Sequence, residues 1–269
     1  MQIKTFIVDA FTNERFKGNQ AGVCLLDDDL NESLMLSVAK ELGFSETAFV
    51  RKIAKEEYSI RFFSPKMEIP LCGHATLGSS KVLFDLDGHL TNIHFKTIQE
   101  LDLLITKSGD QIIMQFPIYE TVAAIVPEPM IKALGLQAIN HCAYNKETNI
   151  LLVEIEDCVE LRNMKPDFEA LIASHKTING VLITASSNDS RYDFESRYFW
   201  PWSGTNEDPV TGGTHTFLAK YWSEKLGKKI MHSFQCSERS GFMEVELVDD
   251  KHLLIKSNAQ LVLKGIIKL

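Results

Sequence analysis

The sequence predicts an α+β protein of two similar halves, each a strongly bent, mostly antiparallel sheet around one apolar helix. Two observations carry that prediction. Short β-branched and aromatic segments recur along all 269 residues, and one strand–turn–helix pattern occurs twice. The segments are KTFIVDAF, AGVCLL, TAFVRKI, YSIRFFS, LDLLIT, QIIMQF, NILLVEI, GVLITA, YFW, MEVELV and HLLIKS, and their close spacing favours antiparallel pairing.

Taken in order, the first helix is expected where Asn31-Glu32-Ser33 opens the periodic run LMLSVAKEL, which stops at Gly43. Asparagine satisfies free N–H groups at a helix start, and glycine takes the left-handed turn at its end. Residues 44–50 then read as a strand. The first copy of the repeat follows: RFFSP (61–65), EIPLCGHA (68–75) and a helix HATLGSSKVLF after Gly73. The second copy is RYFWP (197–201), EDPVTGGT (207–214) and a helix THTFLAKYWSEKL that stops at Gly227, with three more residues between its blocks. The junction of the halves falls in FPIYETVAAIVPEP, punctuated by Pro117, Pro127 and Pro129, which divides the chain into 1–117 and 118–258.

Composition narrows the function. A formal charge of -8 and a pI near 5.5 leave no basic stripe for a phosphate backbone, so no nucleic-acid partner is expected. No run of about 18 uncharged apolar residues occurs, and the opening lacks a basic segment followed by a long apolar one, so no membrane association and a cytoplasmic location are expected. The five cysteines are odd in number and far apart, as reduced thiols are, and no CxxC, HExxH or HxH spacing suggests a metal site. A small molecule is the expected partner.

Both copies place glycine before a helix: Gly73 in the first, Gly212 and Gly213 in the second. A helix start leaves up to four N–H groups unpaired and carries partial positive charge, so it holds an anion wherever side chains leave it open. With the halves packed about a pseudo-twofold axis, both starts are expected to face one cleft holding a small anionic substrate. The alternative is that these glycines only make tight turns.

Cys72 and His74 are two apart, so on a helix start their side chains are expected to diverge and form no thiolate–imidazolium pair. The helix start would lower the Cys72 pKa and suit the thiol to proton transfer. Its counterpart Thr211 is too weakly acidic to share that work, which argues against a racemase with a thiol on each side. On a strand, Glu46 shares a face with Phe44, Ala48 and Val50, and burial there is expected to raise its pKa towards neutrality. The alternative for Glu46 is a solvated or arginine-paired edge residue. Asp208, just before Pro209 and the second helix start, is the other carboxylate near the cleft, or else a helix cap.

SETAFV, RFFSP with EIPLCGHATLG, DFESRYFWPWSGTNEDPVTGGTHTFLAKYW, GNQAGV and QCSERSG (235–241) resemble the PhzF-like isomerases of phenazine biosynthesis. The resemblance spans nearly the whole chain. It implies a diaminopimelate epimerase-like fold, with the C-terminal strand 259–269 completing the first half, a homodimer, and isomerisation of a cyclic dihydro-hydroxyanthranilate without metal or organic cofactor. It gives Glu46 the role of carrying a proton between two ring carbons. His74 and Asp208 would hold substrate polar groups and assist, with Cys72, Gly73, Gly212, Gly213 and Thr214 lining the substrate site. GGTH replaces the usual GSAH, so Gly213 lacks a hydroxyl that Thr214 either supplies or does not. GNQAGV and ERSG depart from the usual GNP and RGG, which leaves the substrate open.

Three functions follow. The first is a cofactor-independent isomerase working by one-base catalysis from Glu46 on a small carboxylated unsaturated or amino-acid-like substrate. The second is a two-base amino-acid racemase or epimerase using Cys72 and the Thr211 position. The third is a non-catalytic binding protein, which an exposed or salt-bridged Glu46 would favour and a buried Glu46 with a raised pKa would oppose.

Overall fold

The computed structural model describes residues 2–269. In chain order the first elements are β1 (Gln2–Ala10), β2 (Asn19–Leu26), α1 (Glu32–Leu42), β3 (Glu46–Lys52), β4 (Glu57–Phe63), β5 (Glu68–Ile69) and α2 (Gly73–Leu86). There follow β6 (Asn92–Lys96), β7 (Asp102–Ser108), β8 (Gln111–Pro117), β9 (Val122–Ala123), α3 (Glu128–Leu134), β10 (His141–Asn145), β11 (Ile150–Glu154), α4 (Cys158–Asn163) and α5 (Phe168–Ser174). The chain continues through β12 (Gly180–Ser186), β13 (Phe194–Trp200), β14 (Thr205–Asp208) and α6 (His215–Leu226). It ends with β15 (Ile230–Gln235), β16 (Gly241–Leu247), β17 (His252–Ser257) and β18 (Ala259–Lys268). No helix among the described residues is long and apolar enough to cross a membrane.

The chain divides into two compact units. One holds the residues up to Gln115 together with Ile255–Leu269, the other Phe116–Leu254. Each repeats one pairing scheme. In the first, β1 pairs antiparallel with β2, β2 parallel with β3, β3 antiparallel with β4, β4 antiparallel with β5 and parallel with β6, and β6 antiparallel with β7. In the second, β10, β11, β12, β13, β14, β15 and β16 make the same joins in the same order. The first unit adds β18, which pairs antiparallel along the whole of β1. The fold is α+β with one strand-pairing scheme used twice, as the recurring segments and the repeat predict.

The central helices follow from their sequences. α2 is buried from His74 to Ser80, and its hydroxyl side chains are satisfied inside the helix. Thr76 donates to the Cys72 carbonyl at 2.7 Å, Ser79 to Ala75 at 2.7 Å and Ser80 to Thr76 at 2.8 Å. This lets a helix rich in small polar residues sit inside a sheet without stranding polar atoms. α6 buries Phe217, Leu218 and Trp222 in the same way.

α1 is capped as the sequence predicts: the Asn31 side chain accepts from the Leu34 N–H at 2.9 Å, and Gly43 has φ 70°. The repeated Arg and Glu also gain a structural meaning. Arg61 forms a two-pronged ion pair with Glu68, at 2.7 and 2.6 Å, and Arg197 forms the same pair with Glu207, at 2.7 and 2.8 Å. Three short helices, α3 to α5, were not singled out by the sequence; with six or seven residues each, they offer barely two turns of periodicity.

Candidate active site

In the first unit, Glu46 opens β3 beside Ala21 of β2, and its face continues through Ala48 and Val50, both in the core. The side chain is withdrawn from water, with the residue 8% exposed, and one carboxylate oxygen, Oε2, lies 3.2 Å from His74 Nε2. The Cys72 sulfur lies 3.5 Å from His74 Nδ1 and 3.7 Å from Nε2.

This last contact corrects the expectation that Cys72 and His74 diverge. Cys72 is the residue just outside the helix, with φ -144° and ψ 111°. Its extended backbone replaces the helical rotation, so its thiol folds over the ring of His74.

The protonation states also differ from expectation. Burial works to raise the Glu46 pKa, but its hydrogen bond to His74, the charge of His74 and the Ser45 side chain win, and the carboxyl is held below its ordinary value of 4.5. Burial works against charge on His74, yet the neighbouring Cys72 sulfur and Glu46 carboxylate lift it well above 6.5. Burial pushes the Cys72 thiol up, more than His74 and the Ala75 N–H pull it down. At neutral pH the cluster is thus a carboxylate–imidazolium pair beside a neutral thiol. Glu46 is neither raised towards neutrality nor solvated: it is ionised, buried and ion-paired, the state the sequence alone assigns to a binding protein, except that its partner is a histidine, which can exchange a proton, and not an arginine.

Among the described residues, Glu46, Cys72 and His74 are also the one group of His, Cys and acidic side chains whose ligand atoms all lie within 4.8 Å of one another. Residue spacing could not reveal it, because Glu46 comes from a different element. Three such donors suit a borderline cation, but binding would require both the thiol and the imidazolium to lose a proton.

In the second unit, Asp208 ends β14 opposite Tyr198. Thr211 donates its hydroxyl to the Asp208 carboxylate. Gln235, which is buried, clamps this turn twice: it accepts from the Thr211 N–H at 2.9 Å and donates to the Asp208 carbonyl at 2.7 Å. Sequence reading passed over Gln235, although it opens the QCSERSG stretch. Thr214 is buried and donates its hydroxyl to the Thr211 carbonyl at 2.9 Å, so it does not stand in for the hydroxyl missing at Gly213. Gly213 itself is exposed, and a Cβ there would meet nothing within 4 Å.

His215, the first residue of α6, is fully buried. Its Nε2 lies 2.7 Å from the Ser233 hydroxyl and its Nδ1 3.1 Å from the Thr211 carbonyl, while burial pushes its pKa down to about 4. It is a neutral core histidine.

The registers show what each unit has in place of the other's groups. Phe49 pairs with Arg61 and Ile183 with Arg197, so three residues back Glu46 corresponds to Gly180. A Cβ on Gly180 would lie 2.5 Å from the Tyr198 ring and 2.8 Å from the Phe199 carbonyl. The second unit therefore has no room for a carboxylate where the first has Glu46. His74 corresponds in turn to Gly213, and Asp208 to Ile69.

The family profile described as phenazine biosynthesis-like protein matches residues 8–265. A phenazine biosynthesis-like domain-containing protein of Bos taurus is 39% identical over 288 residues, covering 98% of this chain and 99% of the relative. The chain belongs to the phenazine biosynthesis-like family. An uncharacterized isomerase of Halalkalibacterium halodurans is 38% identical over 95% of each chain. The crystal structure of a PhzF-family phenazine biosynthesis protein from Enterococcus faecalis matches with a TM-score of 0.91 at 36% identity, covering 100% of both chains. A hydroxyproline epimerase from Agrobacterium vitis, 10% identical with a TM-score of 0.59 over 99% of this chain and 91% of its own, shares the fold alone. Family and fold together support an isomerase- or epimerase-type role for this phenazine biosynthesis-like protein.

Proposed function

We propose that the protein is a cofactor-independent isomerase in which Glu46 alone carries a proton from one carbon to another of a small carboxylated, unsaturated or amino-acid-like substrate. The observation that supports this reading most is the buried Glu46–His74 pair, set against a Gly180 position that Tyr198 fills.

An ionised carboxylate shielded from water is a ready base. It takes a proton from an acidic carbon, the substrate becomes a delocalised anion, and the neutral carboxyl returns the same proton to a second carbon. Nothing is consumed and no redox change occurs. His74 keeps Glu46 ionised before the transfer and lies 3.2 Å from it as charge moves to the substrate. The α2 start at Gly73, which has no side chain, offers N–H groups to the substrate's anionic group. A homodimer is part of the same reading and is tested by sedimentation.

Metabolites that raise the unfolding temperature would first be collected. A true ligand at 100 times its dissociation constant adds about 2.7 kcal/mol. Each hit would then be incubated in deuterated water with wild type and Cys72→Ala. The one-base reading expects an isomerised product with substoichiometric deuterium, unchanged in Cys72→Ala. Obligatory deuterium in both enantiomers of an amino acid, lost in Cys72→Ala, would instead establish the two-base racemase. Hits that bind without any product or exchange would leave only a binding protein.

A further inference from the structure

The first unit contains a cavity of about 660 Å³ at the end of the sheet remote from Glu46. Two lengths place it. Glu46 and Lys52 are the ends of β3, six residues or about 20 Å apart, and His74 and Leu86 are twelve residues or about 18 Å apart along α2. Lys52 and Leu86 both line the cavity, so it sits at the opposite end of the same strand and the same helix from the candidate active site.

The strand register explains its lining. Lys4 lies opposite Leu25 on β2 and Ile266 on β18, Phe6 lies opposite Lys264, Leu25 opposite Val50, and Lys52 opposite Tyr58. One sheet face thus presents a buried apolar floor, Phe6 and Val50 with Leu83 of α2, and three lysines above it. None of the three lysines makes an ion pair among the described residues, and Asp27 is the one carboxylate in the lining. Lys264 also lies over the Phe6 ring at 6.0 Å. At the mouth, Leu86 and Ile266 are 52% and 59% exposed. An excess of two positive charges over an apolar floor is a local reversal in a chain of net charge -8.

We propose that this cavity is a second ligand site, for an amphiphilic carboxylate whose apolar body rests on Phe6, Val50 and Leu83 and whose head meets Lys4, Lys52 and Lys264. Its volume is that of a small-molecule site, and its charged groups, three lysines against Asp27, leave a net sign that selects an anion. The carbonyl end of α2 carries partial negative charge and works against the anion. The three lysines outweigh it. A neutral molecule of the same shape gains the floor but not the head contacts, so charge is the property the site discriminates. The inference is independent of the chemistry assigned to Glu46.

Calorimetric titration of the full chain with decanoate and with 1-decanol tests it. Decanoate is expected to bind saturably, one per chain, at least tenfold more tightly than decanol. Lys52→Gln combined with Lys264→Gln, both solvent-exposed and expected to leave the fold unchanged, should weaken decanoate at least tenfold and decanol less than twofold. Leu25→Trp, which fills the cavity, should weaken both. Absence of saturable decanoate binding below its micellar concentration would overturn the proposal, as would equal decanoate affinity in the double lysine variant. So would sedimentation data in which decanoate acts only by dissociating a dimer, which would make the cavity a contact between two copies of the chain.

Discussion

The two units share a pairing scheme, an Arg–Glu clamp and a glycine-led central helix, yet their helix entrances hold opposite electrostatic states. At the α2 entrance, burial disfavours charge on His74, but the Cys72 sulfur at 3.5 Å and the Glu46 carboxylate at 3.2 Å together lift its pKa well above 6.5. At the α6 entrance, the buried His215 is neutral because only dipoles, the Ser233 hydroxyl and the Thr211 carbonyl, reach its ring. A duplicated fold therefore does not duplicate chemistry. What separates the two imidazoles is their bonded neighbours: a thiol and a carboxylate at His74, a hydroxyl and a backbone carbonyl at His215.

Replacing the acid breaks this asymmetry most directly. Glu46→Gln keeps shape and hydrogen bonding but removes the base, and turnover is expected to fall by about 10²- to 10⁴-fold or more, read as product formation by the substrates found above. Activity within tenfold of wild type would remove Glu46 from the chemistry.

The second test compares the histidines. His74→Ala leaves a buried carboxylate unpaired and is expected to cost about 3–5 kcal/mol, seen as a lower unfolding temperature. The pH dependence carries the sign. Glu46 has a folded pKa below 4.5, so its contribution is present above 4.5 and lost as pH falls through the folded value. His74 has a folded pKa above 6.5, so its contribution is complete below 6.5 and lost as pH rises through the folded value. The pair thus stabilises fully between pH 4.5 and 6.5. His215 acts in reverse: with a folded value of about 4, it favours the folded state above 6.5 and disfavours it progressively as pH falls from 6.5 to 4. Thermal unfolding of wild type and His74→Ala from below pH 4.5 to well above 6.5 checks the argument: the gap should be widest between 4.5 and 6.5 and narrow on either side, and a gap that does not vary with pH would contradict the ion pair.

The two glycines that stand where the first unit has functional side chains sharpen the comparison further. Gly180→Ala forces a Cβ against the Tyr198 ring and the Phe199 carbonyl, and overpacking of this kind costs about 1–3 kcal/mol. Gly213→Ser enters open space at a position without positive φ and is expected to change stability by less than about 0.5 kcal/mol. Denaturant titration of both variants separates a steric vacancy that is filled from one that is open.

Much of this was legible in the chain itself. Asn31 and Gly43 mark α1 through contacts with near neighbours, and the β-branched and aromatic residues Thr47, Phe49 and Val50 mark β3, since both signals act over a few residues. The repeat of RFFSP and RYFWP exposed the duplicated architecture before any coordinate. The same residues proved structural: their arginines clamp Glu68 and Glu207 rather than a substrate. The spacing of Cys72 and His74 misled because it assumes both residues are helical, whereas Cys72 is extended. Gln235 gave no local signal, because its partners Asp208 and Thr211 are more than 20 residues earlier.

Local order in this protein, its caps, its strand alternation and its two-fold repeat, was set by forces between residues close in sequence, which is why sequence alone determined it. Proton affinity was not. Whether Glu46 is raised by burial or lowered by a partner, and whether a histidine is charged or neutral, depends on groups 18 to 28 residues away brought within about 3 Å: the His74 imidazole overcomes the effect of burial on Glu46, whereas the Ser233 hydroxyl does not overcome it on His215. Only the tertiary structure sets those distances.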